Sequence, residues 1–180
     1  MCGIAGFSLE ARSTVPRTAA ARVLLAGIAE RGADAAGFAY RNGGAVATVH
    51  KQQSGASAML GQVELPETTR HLLVHVRDYT KGHPTVLANN HPIRHGSVIG
   101  VHNGIIVNDE EIFARHGIDR AEPLMTVDSE AIFALMHAAQ SDHAALEELR
   151  GSMATAWIDE RTPDRSEERR VGKECEEACR

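Results

Sequence analysis

Short apolar runs separated by polar, glycine-containing stretches dominate the chain, and they predict the strands of a sheet-rich domain. Residues 4–7 are apolar enough for a buried strand, and the Leu/Val-rich run at 72–76 predicts another. The run at 98–102 predicts a strand that ends in Asn103-Gly104. Further strands are predicted at 38–40, 45–50 and 152–159, with a hairpin turn at Asn42-Gly43-Gly44.

Between these runs, apolar residues recur at helical spacing and predict amphipathic helices. Residues 19–30 form such a stripe, and Thr18 is expected to cap the helix. A helix at 109–116 has acidic residues in its first turn and Asn108 as its expected cap. Two more helices are predicted at 129–140 and 144–149.

The composition changes abruptly after Pro163. Residues 165–180 are mostly Glu, Arg and Lys, with Val171 and Ala178 as the aliphatic side chains. Such a segment cannot bury a core, so we expect it to be disordered or a solvated helix. We therefore predict a domain at 2–160 and a charged tail at 161–180 that is foreign to the domain.

Composition and charge exclude several functions. The 180 residues suffice for one domain with a real core. The net charge of −5 and the aromatic content of 4% argue against nucleic-acid binding by bulk charge or by base stacking. No apolar run approaches the roughly 20 residues of a membrane span, and the N-terminus does not have the pattern of a signal peptide. We expect neither nucleic acid nor membrane as a partner.

Three cysteines, Cys2, Cys175 and Cys179, leave the body of the domain without a disulfide framework. A reducing cytoplasm is therefore the expected compartment. The ten histidines are scattered, and the strand pattern at 72–76 separates His71 from His75, which would be neighbours on a helix. We expect no metal site and no cofactor. Cys175 and Cys179 are four residues apart and could bind a metal together, but we favour the interpretation that these two thiols have no role.

Cys2 directly follows the initiator methionine. If Met1 is removed, this residue carries a thiol with a reference pKa of about 8.5 and an α-amine near 7.7–8.0. A nucleophile and a base of suitable strength then share one residue. The alternative is an edge strand whose terminal cysteine has no role.

Six motifs follow one another along the chain: Cys2-Gly3-Ile4-Ala5-Gly6, Arg31-Gly32-Ala33-Asp34-Ala35-Ala36-Gly37, His75-Val76-Arg77 with Thr80 and Gly82, Asn90-His91-Pro92, His102-Asn103-Gly104-Ile105-Ile106 and Asp128-Ser129-Glu130. Their order and spacing resemble the class II glutamine amidotransferases, which belong to the N-terminal-nucleophile hydrolases. That family includes the glutaminase domains of glucosamine-6-phosphate synthase and of the amidophosphoribosyltransferases, and the similarity spans about residues 2–159.

This resemblance implies an α+β fold of four layers, in which two antiparallel sheets pack face to face between helices. Our own pattern of hairpins and amphipathic helices is compatible with that fold but does not select it. The family's domain continues beyond the last strand predicted here. We therefore expect a C-terminal truncation that leaves an unpaired sheet edge.

The resemblance also implies the catalytic residues. Cys2 would be the nucleophile, and the side-chain N–H of Asn103 with the backbone N–H of Gly104 would form the oxyanion hole. A plain Asn-Gly hairpin turn is the structural alternative for the last two.

The substrate-binding residues follow from the same resemblance. Arg77 matches the arginine that binds the α-carboxylate of glutamine, and Asp128 matches the residue that receives the α-ammonium group. Thr80 is kept from the same motif, and His91 is assigned to support of the site. The structural alternatives are a surface arginine for Arg77 and a helix cap for Asp128.

Two positions depart from the glucosamine-type motif. Asp78 replaces an aromatic residue beside Arg77, and Lys81 replaces a histidine. An acid next to Arg77 would weaken its grip on a carboxylate unless the two side chains point apart.

The sequence thus predicts a glutaminase that releases ammonia from L-glutamine for an acceptor on a separate chain. One alternative is an N-terminal-nucleophile amidase for another amide, such as a bile-salt or penicillin-type substrate. Another is a non-catalytic module that binds glutamine or a partner protein.

Overall fold

A computed structural model describes residues 2–42, 44 and 46–162, and the backbone of residues 166–171. Its strands form two four-stranded antiparallel sheets. The first sheet has the order β1-β4-β2-β3. Its strands are β1 (Gly3–Ser8), β2 (Ala35–Arg41), β3 (Thr48–Gln52) and β4 (His71–Arg77).

The second sheet has the order β5-β6-β7-β8. Its strands are β5 (Ile93–His95), β6 (Val98–Ile106), β7 (Gly151–Asp159) and β8 (Ser166–Val171). All pairings between neighbouring strands are antiparallel in both sheets.

Four α-helices accompany the sheets within the described residues. They are α1 (Arg17–Gly27), α2 (Ala56–Leu60), α3 (Asp109–His116) and α4 (Glu130–Ala138). Short 3-10 turns lie at Ala29–Arg31, Leu87–Asn89 and His143–Glu148. No described helix is long and apolar enough to cross a bilayer.

Alternation along β4 shows how the layers stack. Leu72 and Val74 pack into a core with Leu25 of α1, on one face of the first sheet. Leu73, on the opposite face, packs against Val101 and Ile158 of the second sheet. The two sheets therefore pack face to face, as predicted.

The second sheet is covered in turn by α4. A Cβ added to Gly100 of β6 would lie 2.0 Å from Cε1 of Phe133, so this helix presses directly on the strand. Trp157 and Ile132, in the core between this helix and the sheet, are fully buried.

The strand predicted at 98–102 does not end where the sequence suggested. β6 continues to Ile106, with Asn103 opposite Ala154 and Gly104 opposite Met153. The Asn-Gly pair therefore lies inside a strand, and the hairpin-turn alternative is wrong.

Both expected helix caps are wrong in detail. Helix α1 begins at Arg17, so Thr18 lies within it, and its hydroxyl accepts a hydrogen bond from the Leu65 amide (2.9 Å). Asn108 occupies the cap position of α3, but its side chain bonds the backbone of Arg150 and Glu148 instead. Both side chains therefore form hydrogen bonds with residues that are distant in sequence instead of capping a helix.

Part of the charged tail also differs from expectation. The backbone of Ser166–Val171 pairs with β7 as an edge strand, where we predicted disorder or a solvated helix. Residues 163–165 and 172–180 of the tail, the latter with Cys175 and Cys179, lie outside the described residues. The domain boundary at 160 and the foreign origin of the tail stay predictions.

Strand β1 is an edge strand in the described structure. A groove of about 520 Å³ runs along it and is bordered on the other side by β7. It is lined by Ile4–Ser8, Leu24, 71–73, Ala154–Ala156 and Ile158. The first sheet therefore has an edge at β1, directly after Cys2. The C-terminal truncation stays a prediction.

Candidate active site

Cys2 directly precedes β1 at the start of the first sheet. Ile4 packs among residues between the sheets, so the alternation of the strand directs Cys2 towards the same side. The Cys2 thiol donates to the Asp78 carbonyl oxygen across 3.4 Å, and the Cys2 carbonyl accepts from Nε of Arg31 (3.1 Å). Cys2 is thus in contact with Asp78, which follows β4, and with Arg31, which ends the 3-10 turn at Ala29–Arg31.

Burial raises the pKa of the Cys2 thiol above its usual value. Hydrogen bonding to the Asp78 backbone and the positive charge of Arg77 oppose this rise only in part. The thiol is therefore protonated at neutral pH, and a nearby base is needed to make it a nucleophile.

Arg77 ends β4 and is 2% exposed, which excludes the surface-arginine alternative. Its Nη1 donates to Oδ1 of Asn90 (2.7 Å), and its Nη2 donates to the carbonyls of Lys81 (2.7 Å) and Gly82 (2.6 Å). A guanidinium has five N–H donors. Arg77 therefore uses three of these donors to anchor the loop after β4 and Asn90.

Electrostatics connect Arg77 to other predicted site residues. Burial is the largest influence and lowers the pKa of Arg77, while the Cys2 thiol in its ionised form and the carboxylates of Asp128 and Asp34 raise it. The cation, the thiol and the carboxylate of Asp128 thus share one electrostatic environment.

The two departures from the family motif have structural explanations. Asp78 is exposed whereas Arg77 is buried, so the acid and the arginine point apart. Nζ of Lys81 contacts both carboxylate oxygens of the buried Asp109, at 2.7 and 2.6 Å. Lys81 therefore ties the loop after β4 to the first turn of α3.

Ile99 and Val101 of β6 pack against the first sheet. Asn103 is two positions further along the strand, so it lies on the same face of β6. Gly104 has φ +145°, and a Cβ there would lie 2.0 Å from the Ser152 carbonyl oxygen. Glycine is therefore required at this position, and the backbone can approach a ligand closely.

Asp128 is 3% exposed, and its Oδ2 accepts a hydrogen bond from the Ile106 amide (2.7 Å). Asp128 precedes α4, but its side chain does not cap the helix. The carboxylate accepts its hydrogen bond from β6 instead. The carboxylate is thus held at the last residue of β6, two positions after Gly104.

Comparison with known proteins decides the family. Residues 81–169 match the family model of the glutamine amidotransferase domain, a range that holds Asn103, Gly104 and Asp128. The chain contains a glutamine amidotransferase domain.

Two solved structures resemble this amidotransferase domain over 89% of its chain. The glutamine phosphoribosylpyrophosphate amidotransferase from B. subtilis, complexed with ADP and GMP, superposes with a TM-score of 0.62 at 18% identity. A structure described as the allosteric regulatory enzyme of purine biosynthesis superposes at 0.61 and 19% identity. No curated protein sequence matches significantly.

At these identities the likeness concerns the fold, and it confirms the predicted sandwich of two antiparallel sheets with helices. The chain spans about a third of each solved chain, 35% and 36%.

His91 and Thr80 occupy different places in the amidotransferase domain. His91 is 3% exposed and stacks on His75 with ring centroids 4.2 Å apart, so it lies between the sheets rather than on an open surface. Thr80 lies in the exposed loop after β4. The roles of both residues stay predictions.

Sequence reasoning missed four buried polar residues of the amidotransferase domain that surround the predicted site: His75, Asn90, His102 and Ser129. Each lies within a motif that we quoted for the resemblance, directly beside a residue with an assigned role or two positions from it. That proximity in sequence was the available signal.

Proposed function

We propose that this glutamine amidotransferase domain hydrolyses the side-chain amide of L-glutamine through Cys2 once Met1 is removed. One observation carries the proposal. The Cys2 thiol contacts the backbone of Asp78, next to the buried Arg77, whose pKa is influenced by both Cys2 and Asp128. A nucleophile, a cation and an anion at one site match the three polar groups of free glutamine.

In the proposed reaction, Cys2 Sγ forms a bond to the amide carbon of glutamine. The free α-amine takes the thiol proton and gives it to the leaving nitrogen, so that the carbon–nitrogen bond breaks and ammonia departs. Water then attacks the γ-glutamyl thioester, which releases glutamate and restores the thiol. The raised pKa of Cys2 supports the need for such a base.

Negative charge develops on the amide oxygen during each attack. Asn103 and Gly104 are proposed to stabilise it with a side-chain and a backbone N–H, since fixed donors in a desolvated site are worth more than in water. The close packing of Gly104 against Ser152 supports this role, because it fixes the backbone donor.

The two ends of the amino acid are proposed to bind at Arg77 and Asp128. A planar guanidinium suits a carboxylate, and a buried carboxylate suits an ammonium group. Ammonia is proposed to pass to an acceptor enzyme on a separate chain.

Cys2→Ala tests the proposal most directly. With glutamine labelled in its amide nitrogen, we expect the full chain to release labelled ammonia and Cys2→Ala to release none above the uncatalysed rate. The double variant Cys175→Ala/Cys179→Ala keeps Cys2 and is expected to retain the activity. Ammonia release by Cys2→Ala at the rate of the unaltered chain would exclude the mechanism.

A parallel assay with a hydrophobic N-acyl amide separates the glutaminase from another amidase. Mass spectrometry of the intact protein establishes beforehand that Met1 is absent. A chain with a free Cys2 that hydrolyses neither substrate and is not alkylated by a glutamine-mimicking diazoketone would instead be a non-catalytic module.

A further inference from the structure

Two buried histidines connect the three parts of the proposed glutamine site. His75 lies on β4, two residues before Arg77 and on the same face of the strand. His102 directly precedes Asn103 on β6. Neither residue has a role in the reaction described above.

His75 joins the first sheet to the second. Its Nε2 lies 3.0 Å from the carbonyl oxygen of His102. Burial, with the nearby charge of Arg77, lowers the pKa of His75 to about 3, so the ring is neutral at physiological pH. Since a carbonyl only accepts hydrogen bonds, the proton of the neutral ring lies on Nε2.

His102 continues the connection towards Asp128. Its Nδ1 lies 2.8 Å from the hydroxyl oxygen of Ser129, the residue after Asp128. On the other side of the ring, a Cβ added to Gly104 would lie 2.9 Å from His102 Nε2. The imidazole is therefore enclosed between the proposed oxyanion hole and the segment that carries Asp128.

We propose that His75, His102 and Ser129 are positioning residues that fix the separations among Arg77, Asn103-Gly104 and Asp128. This inference rests on the proposed function, in which Arg77, Asp128 and Asn103-Gly104 bind the carboxylate, the ammonium group and the amide of one glutamine molecule. A displacement of about 1 Å between such groups can cost about 100-fold in rate. The hydrogen bonds between the two sheets and α4 prevent that displacement.

Two alkylating reagents separate positioning from chemical reactivity. A diazoketone analogue of glutamine, 6-diazo-5-oxo-norleucine, must bind through its carboxylate and ammonium groups before Cys2 Sγ displaces nitrogen. Iodoacetamide reacts with the same thiol but carries neither charged group. Because the tail holds Cys175 and Cys179, the rates are read by peptide mapping at Cys2.

His75→Leu removes the donor, whereas His75→Gln can place an amide N–H in a similar position. In the full chain without Met1, we expect His75→Leu to slow alkylation by the diazoketone about 10- to 100-fold and to leave the iodoacetamide rate within about threefold. His75→Gln should recover most of the diazoketone rate.

His71→Leu is the matched control, since it removes another buried histidine from the same face of β4, far from Arg77. It is expected to change neither rate by more than about threefold. Equal slowing of both reagents in His75→Leu, or an unchanged diazoketone rate, would overturn the inference.

Ser129→Ala provides a milder variant that is independent of any folding defect in His75→Leu. It removes the hydroxyl from His102 Nδ1, and we expect the diazoketone rate to fall about five- to tenfold with the iodoacetamide rate unchanged. Ser8→Ala, which removes a hydroxyl 3.1 Å from Nδ1 of His71, is its control and should have no effect. A Ser129→Ala protein that reacts like Ser8→Ala would contradict the inference.

Steady-state kinetics distinguish this inference from the proposed function itself. If the unaltered chain releases no ammonia, the proposed function fails whatever the variants do. If it is active, positioning predicts a raised KM for glutamine together with a lowered kcat in Ser129→Ala, and recovery of both values in His75→Gln relative to His75→Leu. Parallel kinetics in His75→Leu and His75→Gln would overturn positioning while leaving the glutaminase intact.

Discussion

Gly104 shows how one backbone position can determine the local chemistry. Its φ of +145° is rare for residues with a side chain, and β7 lies so close that a Cβ would overlap the Ser152 carbonyl oxygen. Two separate constraints therefore select glycine here.

Gly104→Ala should destabilise the protein by about 2 kcal/mol or more, since backbone strain and a clash with the paired strand add together. Ammonia release should fall together with the stability, because the backbone N–H next to Asn103 is displaced. Urea unfolding and the labelled-glutamine assay measure the two effects.

Gly27→Ala is the control at a position with open space, at the end of α1. It should be neutral or stabilising by up to about 1 kcal/mol. A Gly104→Ala protein as stable and active as Gly27→Ala would contradict our account of this position.

At the scale of elements, the loop after β4 is held from both sides. Arg77 donates hydrogen bonds to the carbonyls of Lys81 and Gly82 in this loop. The side chain of Lys81 in turn binds Asp109 at the start of α3. Arg120 joins the same network through Asp109 and Glu130. The loop that contacts Cys2 is therefore positioned by two helices as well as by its own strand.

Lys81→Ala should loosen this loop. We expect chymotrypsin to cut faster after the exposed Tyr79, KM for glutamine to rise several-fold, and stability to fall by only about 1 kcal/mol, because the lysine side chain is partly exposed.

The control is Arg115→Ala, at the other end of α3. It removes an exposed ion pair between this helix and Glu148 of the 3-10 turn at His143–Glu148. It should change stability by less than about 0.5 kcal/mol and leave the cleavage after Tyr79 as it is. Equal cleavage in both variants would contradict a role of Lys81 in holding the loop.

The elements themselves were largely predictable from the sequence. The helix at 109–116 is found with the predicted bounds, and the strands at 72–76 and 152–159 differ by one residue or so at their ends. The misses have a common cause. The Asn103-Gly104 pair and the side chains of Thr18 and Asn108 carry local signals for turns or caps, but each is used by a distant partner instead.

At the scale of the whole molecule, the space between the sheets holds several buried polar side chains. His75, His91 and Arg77 are all buried there, and burial lowers the pKa of both histidines. No pattern of apolar residues could predict this, because alternation in β4 indicates burial of His75 but not the carbonyl that it meets across the sandwich. The motif resemblance predicts which residues bind glutamine, and only the structure shows the buried contacts around those residues.

Buried neutral histidines make the folding free energy depend on pH. Below about pH 6.5 the unfolded chain binds protons at these positions whereas the folded chain does not, so stability falls as the pH is lowered. Each such histidine contributes a slope of about 1.4 kcal/mol per pH unit, while above pH 7 the effect vanishes.

Urea unfolding of the full chain between pH 7 and pH 5 measures this slope. His75→Gln removes one of these groups and should reduce the slope by the contribution of one proton. An identical slope in both proteins would mean that His75 is protonated in the folded state.

The position of β1 has a practical consequence for preparing the protein. Pairing of this strand with β4 begins at Gly3, opposite Val76, so a single residue separates the sheet from Met1. A purification tag fused upstream would convert the amine of Cys2 into an amide and add bulk beside the Asp78 backbone that the thiol contacts. Tags belong at the opposite terminus, or must be cleaved by a protease that leaves Cys2 as the first residue.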